Sequence, residues 1–300
     1  MPQDIPGIPS TQTTLDTPPT APPVPRDNDN DNLGLCDVYH LHGRPDSAGE
    51  VAYFMSIPWC RVHLKPTEGR PPGSATPLEV RIVQPNCRRN GRPVPNADGT
   101  FTSSTETVGN AFSTTLHTLD TIGAFIVFYE EPRRGGNPDS SSASDSASDP
   151  ASDYRAPILE LKALLRLGPG VNGHRGVTHG GIVAAILDEV LGLLIPLNHR
   201  RAKYNERIGA TAPPLPASAD PTGPEAAAAA SARVDKGFVT GFLNTTYVRP
   251  VRTPAPVLVT ARYTRLEGTR KFYVEGAIWD DKSQVLAKAE CLFIALKERL

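Results

Sequence analysis

Strong charge is missing from this chain: 31 Lys and Arg stand against 32 Asp and Glu, for a formal net charge of −1. A basic footprint for nucleic acid or an anionic membrane is thereby excluded. Cysteine is scarce. The four residues, at 36, 60, 87 and 291, show neither CxxC nor finger spacing, and reduced thiols in an intracellular, cytoplasmic protein are expected. His40 and His42, like His174 and His179, are poorly spaced as a metal pair, so loop histidines and no metal or cofactor are expected. No GxSxG is present, which leaves a serine hydrolase of the nucleophile-elbow type unsupported. "GPGVNG" at 168–173 spells GxGxxG. A loop follows it instead of a helix and a second parallel strand, so a dinucleotide site is not supported. The N-terminus has no charged-then-apolar signal pattern, is poor in Arg and contains acids, against a transit peptide. No apolar run approaches bilayer-spanning length, and no membrane span is expected.

Proline and small polar residues, by contrast, are abundant and clustered. Residues 1–32 hold eight Pro and read as a disordered arm, because they bury too little surface to offset ordering entropy. "DSSSASDSASDPASD" at 139–153 reads as a Ser/Asp-rich linker. The stretch from about 199 to 234, with "TAPPLPASADPTGPEAAAAASA", reads as a disordered surface insertion whose Ala run is compatible with a short helix. Residues 33–138 form an N-terminal extension that leads into a first strand. Residues 154–300 form the main domain.

The last part of that domain alternates with period two. Val257, Val259, Ala261 and Tyr263 share one face. So do Phe272, Val274 and Ile278, and so do Ala287, Ala289, Cys291 and Phe293. Short polar turns, "EGTR" and "DDKS", separate the runs. This is the pattern of an antiparallel meander with one buried face. A single solid helix precedes it, so the fold class is α+β.

That helix is "HGGIVAAILDEVLG". From Gly180 to about Leu197 it is apolar all round except for Asp188 and Glu189. Such a helix is buried on all sides, so a sheet should wrap around it. A carboxylate there costs several kcal/mol unless partnered. It is either hydrogen-bonded structurally, set at a dimer seam, or reactive. The helix start carries free N–H groups and the positive end of the helix dipole. Gly180 and Gly181 allow a carbonyl oxygen to approach those amides, an arrangement that stabilises an oxyanion. Equally, a loop-to-helix turn simply needs small residues. Asp188 lies nine residues after His179, about 13 Å along the axis at roughly 1.5 Å per residue. A base and an oxyanion donor must each lie within about 3 Å of the reacting atoms. If both ends of the motif are catalytic, the site combines two chains with antiparallel helices.

Taken in order, "HGGIVAAILDEVLG", "FVTGFLNTTYVRPV", "LEGTRKFYVEGAIWD" and "AKAECLFIALK" resemble acyl-CoA thioesterases of the hotdog superfamily. The branch is the phenylacetyl-CoA-thioesterase-like one that includes the thioesterase-superfamily-member proteins, and the likeness covers about 157–297. "SIPWC" and "TLHTLDTIGAF" resemble fungal members. The resemblance implies a hotdog fold, a long central helix wrapped by an antiparallel β-sheet, in a homodimer or a dimer of dimers. It also implies hydrolysis of an acyl-CoA or acyl-carrier thioester without a cofactor. It gives Gly180 N–H to the thioester carbonyl, His179 to shaping the loop, Asp188 to general base or nucleophile, and Thr240 to positioning water. Gly181 and Asn172 become candidate substrate contacts. Arg249, Arg270 and Lys271 read either as solvated strand-end charges or, for some of them, as substrate contacts towards coenzyme A phosphates. Some members carry an Asn six residues before the motif His. Here that place is Gly173, with Asn172 and His174 beside it. The alternatives are release of an acyl or polyketide chain from a carrier protein, and a non-catalytic hotdog acyl-binding protein.

Overall fold

The computed structural model describes residues 45–65, 80–83, 111–131, 155–210, 220–231, 234 and 237–297. The expected arm at 1–32 and the whole of the linker at 139–153 lie outside them. The centre is a seven-stranded antiparallel sheet in the order β1-β2-β3-β7-β8-β9-β6. Its strands are β1 (Val80–Val83), β2 (Ile122–Glu130), β3 (Glu160–Leu167), β6 (Phe238–Tyr247), β7 (Ala255–Glu267), β8 (Lys271–Trp279) and β9 (Val285–Ala295). A two-stranded hairpin, β4 (Asn172–His174) and β5 (Val177–Thr178), precedes the helix. Gly176 turns it at φ +71°, in the left-handed region where a side chain is strained.

Alternation in the meander translates directly into burial. Val257, Val259, Ala261, Tyr263, Phe272, Val274, Ile278, Ala287, Ala289, Cys291 and Phe293 all lie in one buried cluster. The same cluster takes in Val183, Ile186, Leu187, Val190 and Leu191 of α3 (Gly180–Gly192). The helix beds closely on the sheet at Gly276, where an added Cβ would lie 2.2 Å from Thr260 O and 2.6 Å from Leu191 Cδ1. The long antiparallel sheet around a long helix is the expected α+β hotdog arrangement.

α3 passes with one intervening residue into α4 (Leu194–Ile208). Together they span 29 residues with a window of mean hydropathy 1.9, long and apolar enough to cross a membrane by length and composition. This corrects the expectation that no apolar run approaches that length. Its apolar residues are the ones packed on the sheet, as in a core helix.

The stretch 199–234 also differs from the surface insertion expected. His199, Arg201 and Asn205 are buried. Asn198 exchanges two hydrogen bonds with the backbone of Ile158 (2.7 and 2.9 Å), and Asn205 does the same with Arg155 (2.9 and 3.0 Å). One helix face thus ties down the segment leading into β3. Gly209 at φ +69° ends α4. The Ala run forms α5 (Pro224–Ser231), with Ala227, Ala228 and Ser231 buried. It packs chiefly on β7. Small side chains allow that close approach, so a composition typical of loops builds part of the core.

The N-terminal extension adds β1 and β2 to the sheet edge next to β3. It also adds α1 (Pro45–Met55) and α2 (Pro58–Leu64). Phe54, Cys60 and Leu64 pack there with Ala124, Ile126, Phe128, Leu164 and Leu258, a second core on the face of the sheet away from α3. Arg201 reaches Glu131 at the end of β2, and Glu131 also meets Arg81 of β1.

Candidate active site

The first turn of α3 has a specific hydrogen-bond pattern. His179 is the N-cap, and its Nδ1 accepts from Gly181 N–H at 3.0 Å. His179 O accepts from Ile182 N–H at 2.9 Å and Val183 N–H at 3.1 Å. Among the described residues no hydrogen bond uses the N–H of Gly180. The helix therefore offers one amide, at the positive end of its dipole, to a ligand. Gly181, expected to contact substrate, spends its own amide on the cap.

Tyr247, at the end of β6, donates its hydroxyl to Gly180 O at 2.9 Å. A Cβ on Gly180 would touch the same ring at 3.5–3.6 Å. Tyr247 was not singled out from the sequence. Only its place one residue before "VRP", at the end of the strand carrying Thr240, marks it. Gly173 lies under His179, where a Cβ would come within 2.8 Å of His179 Cα and 2.9 Å of Cδ2. A bulkier residue at 173 would displace the capping histidine. Asn172 Oδ1 accepts from the Thr253 hydroxyl, so the structure ties Asn172 to the β6–β7 connection.

Eight residues further on, about 12 Å along the axis, Asp188 is half-buried. Thr240 Oγ1 donates to its Oδ1 at 2.9 Å. Cys291 Sγ, from β9, approaches the same oxygen at 3.9 Å. Burial, and secondarily the Asp188 charge and its hydrogen bond, push the Cys291 thiol up to about 12. It stays a neutral S–H beside the carboxylate. Strand β6 runs antiparallel along α3: Phe238 lies against Gly192, Thr240 against Asp188 and Tyr247 against Gly180. A bulge between Thr240 and Phe242 re-aims the strand beside Asp188.

The three basic candidates are split. Arg249 donates to Val285 O at 2.8 Å, at the β9 start. Arg270 donates to Ala295 O from the β7–β8 turn, and Lys271 pairs with Glu267 at 2.7 Å. The 13 residues of β7 separate the two groups by roughly 40 Å at 3.3–3.4 Å per residue. Within one chain they cannot hold one phosphate group. Among the described residues no group of three His, Cys, Asp or Glu side chains is arranged to hold a metal.

An amide at a helix start can stabilise an oxyanion, and a carboxylate oriented by a hydroxyl can accept a proton. Residues 216–287 match the Thioesterase superfamily model. The matched segment contains Thr240 and Tyr247; α3, with Gly180 and Asp188, precedes it. The fold that surrounds this matched segment is the hotdog arrangement of a long helix and an antiparallel sheet. The chain is 28% identical over 187 residues to Verlamelin biosynthesis protein B of Lecanicillium sp, covering 62% of this chain and 72% of that protein. It is similar to a solved Bacillus halodurans protein with CoA, at 24% identity over 47% of this chain and 70% of that one, TM-score 0.30. It is also similar to a phenylacetic acid degradation-related protein from Ralstonia eutropha, at 18% identity over 45% and 75%, TM-score 0.30. Of another solved thioesterase-superfamily protein, at 23% identity and TM-score 0.30, the chain, over 46% of its own length, spans about half (55%).

Proposed function

We propose that the protein hydrolyses acyl thioesters at a site shared by two copies of the chain. The Gly180 N–H of one copy polarises the thioester carbonyl. Asp188 of the other takes a proton from water, whose oxygen attacks the carbonyl carbon. Thr240 orients that carboxylate. The C–S bond then breaks and the proton held by Asp188 passes to the departing sulfur, leaving the acid, a thiol and a regenerated carboxylate. The observation that carries this reading is the pairing of an unoccupied helix-start amide with an acid–hydroxyl pair about 12 Å away on the same helix. One chain cannot bring both within contact of one carbonyl.

The edge strand supports the two-chain arrangement. β6 carries exposed Val239, Phe242 and Tyr247, with Val248 just beyond, and its outer edge pairs with no strand among the described residues. A long apolar edge of this kind is a template for a second copy. A more specific reading is release of an acyl chain in a biosynthetic pathway, from CoA or from a carrier protein. It is favoured by the similarity to a protein named for verlamelin biosynthesis.

The test is hydrolysis of a panel of acyl-CoA and acyl-carrier thioesters by the purified full chain, followed as thiol release, with its mass in solution. Turnover of at least one class by a dimer or larger assembly is expected. A folded protein that turns over none of them is a non-catalytic hotdog binder, and the proposal fails.

A further inference from the structure

The carboxylate of Asp188 is held on one side only. Two adjacent strands each place one donor on its Oδ1: Thr240 Oγ1 from β6 at 2.9 Å, and Cys291 Sγ from β9 at 3.9 Å. Among the described residues no hydrogen bond reaches Oδ2. Asp188 is half-buried, and its Oδ2 is not one of the buried atoms that lack a partner. Oδ2 is therefore the oxygen left to water.

Alternation alone makes Cys291 a core residue. It is 1% exposed, and its partners on the neighbouring strands are Leu243 of β6 and Val274 of β8. An aliphatic side chain would satisfy that packing. A thiol packs as a small hydrophobe too, but still carries a proton to donate. Burial first, and then the Asp188 charge, push the thiol up to about 12, so the proton stays on sulfur. An S–H donor is weaker than a hydroxyl. It can orient a carboxylate without competing strongly for its charge.

We propose that Cys291 is a positioning residue: with Thr240 it pins Oδ1 of Asp188 and so leaves Oδ2 as the oxygen that takes the proton from water. The inference rests on the thioesterase reading for the reaction that Oδ2 performs. Rotation of the carboxylate about its Cβ–Cγ bond would exchange the two oxygens. A single rotating hydroxyl can follow that motion, whereas two donors converging from different strands oppose it. The other titratable groups facing α3 stand off from Asp188. On the sheet these are Tyr247, committed to Gly180 O, and Tyr263 of β7. On the helix Glu189 is the next residue, and the charged residues of α4 begin after Asn198, roughly 16 Å further along.

Kinetics and infrared spectroscopy of the full chain test this. Cys291→Ala and Cys291→Val both lack the donor and bracket the thiol in volume. In both, the ionised carboxylate loses a donor, so the acid limb of the kcat/KM pH profile should move up by about 0.5 of a pH unit. A packing role would lower the thermal midpoint and leave that limb in place. Wild-type acid limbs in the folded variants would overturn the inference. A second measurement needs neither variant. The S–H stretching band should move to higher frequency in Asp188→Asn than in the wild type, because an amide oxygen accepts more weakly than a carboxylate. An unmoved band would overturn the inference as well. A moved band in a protein that cleaves no thioester would sustain the pinned carboxylate and overturn the thioesterase reading instead.

Discussion

The hydroxyl of Thr240 donates to Oδ1 of Asp188 at 2.9 Å, joining the edge strand to the core helix across 52 residues of sequence. A helix that is apolar apart from Asp188 and Glu189 thus carries a carboxylate with one oxygen oriented by protein. Asp188→Asn keeps the shape and removes the base, so kcat should fall at least about 10²-fold with folding intact. Thr240→Val should lower kcat about tenfold, the worth of a hydrogen bond to a charged group. Steady-state kinetics beside a thermal melt separate the two effects, and wild-type turnover in folded Asp188→Asn would remove Asp188 from the reaction.

Sharing of the site between chains is tested by complementation. Gly180→Val crowds the carbonyl position and the Tyr247 ring 3.5 Å away. Asp188→Asn removes the base. Each homodimer should be nearly inactive. A heterodimer of the two has one site with both defects and one with neither, and should regain at most about half the wild-type activity, given additive independent sites. Differently tagged copies, co-expressed and purified through both tags, give the measurement; heterodimers as dead as their parents would rule out the shared site.

Tyr247→Phe deletes only the donor to Gly180 O. The expected loss of stability is small, about 0.5–1 kcal/mol, for one exposed hydrogen bond. The expected loss in kcat/KM is several-fold, because the peptide next to the Gly180 amide is no longer clamped. Unchanged kinetics in this variant would make Tyr247 a packing residue.

Gly276→Ala tests how closely α3 beds on the sheet. The added methyl would overlap Thr260 O at 2.2 Å and Leu191 Cδ1 at 2.6 Å. Leu191 can swing aside, but the carbonyl is backbone. Overpacking of this kind costs about 1–3 kcal/mol or more, read as a lowered midpoint in urea.

Cys60 and Cys291 thiols are both pushed up to about 12 from an ordinary 9.0, chiefly by burial. The native state therefore holds these protons where the unfolded chain releases them. The stability they contribute is complete below about pH 9 and is lost as the pH rises towards 12. Peptide mapping after iodoacetamide at pH 8 should show both unmodified in the folded protein and labelled in urea. Rapid labelling of native Cys291 would contradict its burial beside Asp188.

Much of the fold is written locally. Period-two alternation in β7, β8 and β9 named the buried face residue by residue, because a pleated strand with one wet face admits no other pattern. The apolar helix with its one acidic pair pointed to burial, and the helical rise alone separated Gly180 from Asp188. Burial of α5 was not legible, since five alanines carry no amphipathic signal and only β7 makes them core. Arg249 and Arg270 looked equivalent as basic residues, yet a strand of 13 residues parts them. Tyr247 meets Gly180 across 67 positions, and Trp59 joins Arg252 and Lys282 in one cavity from far earlier in the chain. Composition and periodicity act within a few residues and settle which face of an element is buried. Pairings between distant side chains follow from strand order and helix placement, which only the packed tertiary structure decides.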